Sequence, residues 1–252
     1  MRRAELARLQ VALERDGFAV ARGVFDPAEV HSLRLGFDRL LEVAQELIET
    51  GEVLGSHFVL DLDPFRLHRV VWCGAAAPRL RLGDDRRFLE LASHALQSSQ
   101  LTQIIQQAHF KLPGDAVSFA WHQDASNRRC GTPLWSDVSG RGSFLQMALA
   151  VDPMTAANGP LRMIPGSHRQ GFVADPTTGA LPETSFDPDL GVDLLLEPGD
   201  LALFGPYVIH GSRGNNSASP RRLLLQGYAL PGANRRIYPG CGRGIPRTFL
   251  PG

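Results

Sequence analysis

The chain has 252 residues with 26 Lys+Arg against 26 Asp+Glu, and this balance gives no electrostatic footing for nucleic acid or an anionic membrane. Hydrophobic residues make up 43%, enough to bury a sizeable core in a single domain over residues 1–252, and no apolar run approaches a membrane span. Three widely spaced cysteines, Cys73, Cys130 and Cys241, form neither a disulfide framework nor a zinc pattern, so the expected address is the reducing cytosol.

Residues Ala4 to Arg15 carry Leu6, Leu9 and Leu13 at helical spacing, with Gly17 as the stop. Asp26-Pro27 reads as an N-cap and first-turn pair for a longer helix ending near Gly51, with Val30, Leu33, Phe37, Leu40, Leu41, Ala44 and Leu47 on one side. A third helix is expected from Asp85 to Leu96. From Gln103 onwards, short β-rich runs alternate with Pro, Gly, Asn and Asp turns, the pattern of a sandwich or barrel. The expected fold is mainly β with flanking helices around a double-stranded β-helix, a cupin-like jelly roll that brings distant strands to one interior.

Pro113-Gly114 marks a turn before the strand-like run Val117 to Trp121, and His122, Gln123 and Asp124 follow at its end. Residues two apart on a strand share a face, so His122 and Asp124 can offer an imidazole and a carboxylate to one metal ion. His210 ends a second strand-like stretch, Leu201 to Phe204 plus Tyr207 to Ile209. Together the three make a two-His, one-carboxylate set that leaves one face of an octahedral ion open. Singly, each residue fits a surface or capping role equally well; the conjunction carries the inference. With Asp124 in place rather than Ala or Gly, C–H oxidation is favoured over halogenation.

Arg221 and Arg222 open the run Leu223, Leu224, Leu225, apolar on both faces, so one guanidinium is expected to point inwards, where it needs an anion. The far carboxylate of a keto acid such as 2-oxoglutarate suits a two-pronged arginine, with Ser212 as a further hydroxyl donor. His168, in the turn after Ile164-Pro165-Gly166, is expected to bond backbone rather than metal. Gly159 and Gly166 read as turn formers at positive φ.

On these residues the chain resembles the phytanoyl-CoA dioxygenase (PhyH-like) family of Fe(II)/2-oxoglutarate oxygenases. The matching stretches are Asp16-Gly17-Phe18, Lys111-Leu112-Pro113-Gly114, Trp121-His122-Gln123-Asp124, Asn158-Gly159-Pro160-Leu161, Ile164-Pro165-Gly166-Ser167-His168, and His210-Gly211-Ser212 with Arg221-Arg222. The resemblance implies Fe(II), 2-oxoglutarate and O2, with His122, Asp124 and His210 on iron and Arg221 and Ser212 on the cosubstrate. It also implies a cosubstrate contact at Gln107 and a basic residue on an earlier strand, for which Arg69 is the candidate. The family's Trp before the Asn-Gly turn is missing from Phe144-Leu145-Gln146-Met147-Ala148, and Gln146 is expected to take over that wall.

The activity so implied is hydroxylation or oxidative cyclisation of a small polar metabolite, an amino acid or sugar-containing intermediate of natural-product biosynthesis, by a monomer or homodimer. A cupin-type isomerase or hydrolase without keto acid, and an acyl-CoA hydroxylase, are the alternatives. The segment Ser126 to Arg141, with Asn127, Arg128, Arg129, Trp135 and Asp137, is either the mouth of the site or a solvated face. The stretch from Asn234 through Arg236 and Tyr238 to Gly252 is expected to drape over the same mouth.

Overall fold

Helix α1 (Arg3–Asp16) stops where Gly17 turns left-handed at φ 86° and donates its N–H to the Leu13 carbonyl. The fold is a computed structural model that describes residues 1–51, 57–238 and 241–251. After β1 (Phe18–Ala21), the helix α2 (Pro27–Glu49) begins at a capping box: Asp26 accepts from Glu29 N while Glu29 accepts from Asp26 N. Of the expected stripe, Val30, Leu33, Phe37, Leu40 and Ala44 are buried, whereas Leu41 and Leu47 at its margin are only half-buried. Strands β2 (Phe58–Leu62) and β3 (Phe65–Val71) precede α3 (Arg86–Leu96), whose first turn is capped by Asp85.

The rest is mostly strand: β4 (Gln100–Lys111), β5 (Phe119–Gln123), the single-turn helix α4 (Asp124–Arg128), β6 (Phe144–Ala150), β7 (Leu161–Met163) and β8 (Val192–Asp193). Strands β9 (Leu201–Phe204), β10 (Ile209–Ser212), β11 (Arg221–Ala229) and β12 (Ile245–Thr248) complete it. Eight strands form one sheet in the order β1-β9-β6-β11-β4-β3-β2, with β12 also on β4. The other four form a smaller sheet, β5-β10-β7-β8. Every pairing is antiparallel, as a jelly roll requires.

Alternation along the large sheet divides its faces. Phe110, Leu145, Met147, Leu149, Leu224 and Tyr228 join the helices in one core that runs in sequence from Leu9 to Tyr228. Their neighbours Ala148, Ala150 and Leu223 turn to the interior between the sheets. The same alternation separates the two arginines. Arg222 lies on the helix side, bonded through Nε and Nη2 to both oxygens of buried Asp152 at 2.7 and 3.0 Å and through Nη1 to Asp38 on α2. Arg221 therefore faces the interior.

Two expectations need correction. Leu201–Phe204 and the strand bearing His210 belong to different sheets, because Gly205-Pro206 interrupts them and proline cannot donate to a ladder. His210 accordingly sits inside β10 and not at the end of a continuous run. The strand before the metal set begins at Phe119, two residues late, because Asp115 turns back to accept from Val117 N. Gly159 and Gly166 do adopt positive φ, 71° and 77°, and a Cβ at Gly159 would lie 2.3 Å from the Arg213 carbonyl oxygen.

Candidate active site

His122 and His210 are directly opposed in the β5/β10 ladder, and their ring centroids lie 4.2 Å apart. Each imidazole spends Nδ1 on the backbone two residues upstream, His122 on Ala120 O at 2.8 Å and His210 on Val208 O at 3.0 Å. That fixes both tautomers and turns both Nε2 lone pairs towards the interior. Asp124 does not continue the strand; it is the first residue of α4. The strand-to-helix turn still brings its carboxylate beside the rings, and one ligand atom from each of the three residues lies within 4.8 Å of the others.

The donor set suits a divalent metal. Burial, followed by the neighbouring His122, pushes His210 down to about 4, so it is neutral and able to ligate near neutral pH. Burial also pushes the Asp124 carboxyl up, but His210, His122 and Arg128 outweigh it and hold the group below its ordinary value. Asn127 donates to Asp124 Oδ1 at 3.3 Å and orients it.

The triad opens on a cavity of about 830 Å³ between the sheets. Arg69, Gln107, Gln146, Ser212 and Arg221 all line it, so the residues expected around the cosubstrate face the same space as the three expected on the metal. Gln107 Oε1 accepts from His109 Nε2 at 2.9 Å, and Gln146 donates to Gln226 O at 3.4 Å. Arg221 is 2% exposed, and its Nε has no hydrogen-bond partner among the described residues. Burial lowers it only to about 10, so it stays cationic. Arg69 stands opposite His109 on the next strand, and its Nε is likewise unpartnered. Burial, then Arg69 and Arg221, push His109 down to about 3, so the imidazole between the two guanidiniums is neutral.

Sequence reasoning passed over Lys111. Its ammonium is buried and donates to Ser212 Oγ at 2.8 Å and to the Arg213 carbonyl. Because Ser212 accepts from Lys111, its own hydroxyl proton is free to point into the cavity. Burial, then Arg221, push Lys111 down to about 7. The signal was available: Gln107, His109 and Lys111 alternate along one face of β4.

The segment after the triad divides. Ser126, Asn127, Arg128 and Arg129 line the cavity, while Trp135 and Asp137 do not. Trp135 is buried and donates to Gly142 O; Asp137 collects Ser139, Gly142, Ser143 and Tyr207. These two hold the loop together instead of forming a mouth. Of the C-terminal stretch, Arg236 and Tyr238 reach the cavity, whereas β12 pairs with β4. His168 bonds Glu14 O at 3.2 Å and faces a separate cavity of about 350 Å³. Cys130 is buried outside the main cavity, and burial pushes its thiol up to about 12, which makes it inert. Among the described residues, no helix is long and apolar enough to cross a membrane.

The profile of the phytanoyl-CoA dioxygenase (PhyH) family matches residues 13–223. L-proline trans-4-hydroxylase from Streptomyces griseoviridis is 32% identical over 149 residues, 49% of this chain and 51% of that protein. Ectoine dioxygenase from Sphingopyxis alaskensis is 26% identical over 239 residues, 85% of this chain and 72% of that protein. Among solved structures, the epimerase SnoN in complex with Fe3+, alpha ketoglutarate and nogalamycin RO superposes with a TM-score of 0.74 at 20% identity, covering 100% of this chain and 97% of that one. The chain spans about half the length of the proline hydroxylase it matches.

Proposed function

The chain belongs to the phytanoyl-CoA dioxygenase family, and from that premise we propose that it is an Fe(II)- and 2-oxoglutarate-dependent dioxygenase. Its reaction is oxidation of a C–H bond in a small polar metabolite, by hydroxylation or oxidative cyclisation, in natural-product biosynthesis. The observation that carries the reading is a two-His, one-carboxylate set sharing a cavity with a buried, unpartnered Arg221. Relatives named for L-proline and ectoine favour amino-acid-like substrates, and SnoN, solved with nogalamycin RO, favours natural-product chemistry. We further read residues 1–252 as one domain, supported by a core that runs from Leu9 to Tyr228, and propose that it acts in the cytosol as a monomer or homodimer.

In this reading His122, Asp124 and His210 hold iron, and the Arg221 guanidinium grips the far carboxylate of 2-oxoglutarate in a two-pronged, charge-assisted pair. Ser212 adds its hydroxyl proton, Gln107, Gln146 and Arg69 complete the wall, and neutral His109 donates no competing charge. Bound iron supplies O2 activation coupled to decarboxylation of the keto acid to succinate. The protein's part is to orient the reacting C–H bond and exclude water. A cupin-type isomerase or hydrolase without keto acid would leave Arg221 buried without an anion. Anaerobic addition of 2-oxoglutarate to the Fe(II)-loaded protein is expected to produce a weak visible charge-transfer absorption. Iron binding with no such absorption, and no succinate in air, would overturn the proposal.

Lys111 adds a pH dependence. It is faced by Arg221 from β11, Asp115 from the following turn, Ser212 at the end of β10 and the Arg213 carbonyl just past it, and the Phe119 ring at 5.4 Å from β5. Its surroundings favour the neutral amine, whereas a bound dianion favours the ammonium, so binding is linked to proton uptake. The KM for 2-oxoglutarate is therefore expected to rise as pH increases above about 7. Lys111→Met should raise KM at neutral pH, flatten that slope and leave kcat nearly unchanged; an unaltered slope would mean that Lys111, behind Ser212, does not feel the bound dianion.

A further inference from the structure

Arg69 and Arg221 belong to β3 and β11 of the large sheet, and a keto-acid cosubstrate accounts for them. Three more arginines line the same cavity from elsewhere: Arg128 and Arg129 at the end of α4, and Arg236 in the C-terminal segment. Among the described residues the wall holds one carboxylate, that of Asp124. None of the three arginines forms an ion pair among the described residues.

Arg128 is the informative one. It is only 7% exposed, its Nε has no hydrogen-bond partner among the described residues, and Nη1 donates to the Tyr238 hydroxyl at 3.3 Å. The guanidinium lies 5.3 Å from the Phe144 ring centroid and 5.9 Å from that of Tyr238. Arg236 stacks on the other contact of the same ring, 5.1 Å from the Tyr238 centroid, and donates to Asn127 O at 3.2 Å. Two guanidiniums thus share one tyrosine at the cavity wall. A buried arginine without a counter-ion is costly, and Arg128, with no ion pair among the described residues, shares the field of the Asp124 carboxylate. On the reading proposed above, a metal at Asp124 takes up that negative charge, and the Arg128 cluster is left without an anion.

We propose that the substrate itself carries the missing anion, a carboxylate or a phosphonate-like group, which docks on Arg128 and Arg236 with the Tyr238 hydroxyl beside it. The inference rests on the dioxygenase reading, because only a metal-engaged Asp124 frees Arg128. It also limits substrate size. Asp124 and Arg128 are four residues apart on one helix, so their Cβ atoms are about 5–6 Å apart. The oxidised C–H bond then lies a few bonds from the acidic group, which favours a small amino acid or aminophosphonate over a long acyl chain.

The test uses the full chain loaded with Mn(II) and saturating 2-oxoglutarate, so that the Arg221 end is filled. Acetate and methylphosphonate serve as probes, with acetamide as the neutral control, and binding is read by saturation-transfer NMR. Binding of either anion but not of acetamide, weakened at least about tenfold in Arg128→Met and Arg236→Met, supports the proposal. Acetate alone identifies a carboxylate, and methylphosphonate alone a phosphonate or phosphate. If Arg128→Met does not fold, Arg236→Met, at a half-exposed position, carries the comparison. Equal anion binding in wild type and Arg236→Met, or no anion binding, while 2-oxoglutarate still raises the melting temperature, overturns the anionic substrate and leaves the dioxygenase reading standing. No stabilisation by 2-oxoglutarate points instead to failure of that reading.

Discussion

Asp124→Ala protein is expected to purify folded, with little iron and no 2-oxoglutarate-dependent succinate formation. The two imidazoles are held by the Ala120 and Val208 carbonyls independently of Asp124, so the variant retains half a site. Deleting a partner that merely orients a ligand lowers metal affinity about 10–100-fold, and deleting the ligand itself should exceed that. Among the described residues Asp124 is also the one carboxylate in the cavity wall. Iron content after dialysis and the rate of succinate release check the expectation, with the melting temperature as the control for folding. Asp124→Asn keeps the volume and the start of α4 but loses the charge, and should fail in the same direction. Unchanged iron and turnover in both variants would remove Asp124 from the metal set.

The sequence made the chemistry legible where local pattern and chemistry coincide. The N-cap at Asp26, the apolar stripe of α2 and the turn before β5 follow from neighbours in the chain. So does the separation of Arg221 from Arg222, since a strand that is apolar on both faces must send consecutive residues to opposite sides. What stayed hidden depends on where the backbone changes direction. The turn from β5 into α4 at Asp124 has no Gly or Pro to announce it, and the stretch after it read as a loop. Once Asp124 starts a helix, Arg128 falls one turn along it and into the cavity; in a loop that relation cannot be counted. The crossing at Gly205-Pro206 was announced, but apolar residues on both sides made one long strand the simpler reading. Lys111 was hidden for another reason: as part of a turn motif it already had an explanation, and its bond to Ser212 joins strands that are distant in sequence.

Arg221→Ala is expected to raise the KM for 2-oxoglutarate while leaving iron content and kcat at saturating cosubstrate close to those of the wild type. Truncating one partner of a buried, two-pronged charge pair costs about 2–5 kcal/mol, or roughly 30-fold to a few thousand-fold in affinity. The surroundings place the effect towards the lower end. Arg221 is one of the causes that lower Lys111, so its removal lets Lys111 hold a proton more readily behind Ser212 at the same end of the cavity. Arg69, across His109, also remains. The compensation has its own signature: in Arg221→Ala, the rise of KM with pH should move to higher pH, because the titrating lysine has lost a cationic neighbour. Arg221→Lys should recover only part of the affinity, since an ammonium restores the charge but not the two parallel bonds. Steady-state succinate formation across a pH series measures both. A KM unaffected by either substitution would mean that the far carboxylate is held elsewhere in the cavity, with Arg69 as the next guanidinium to remove.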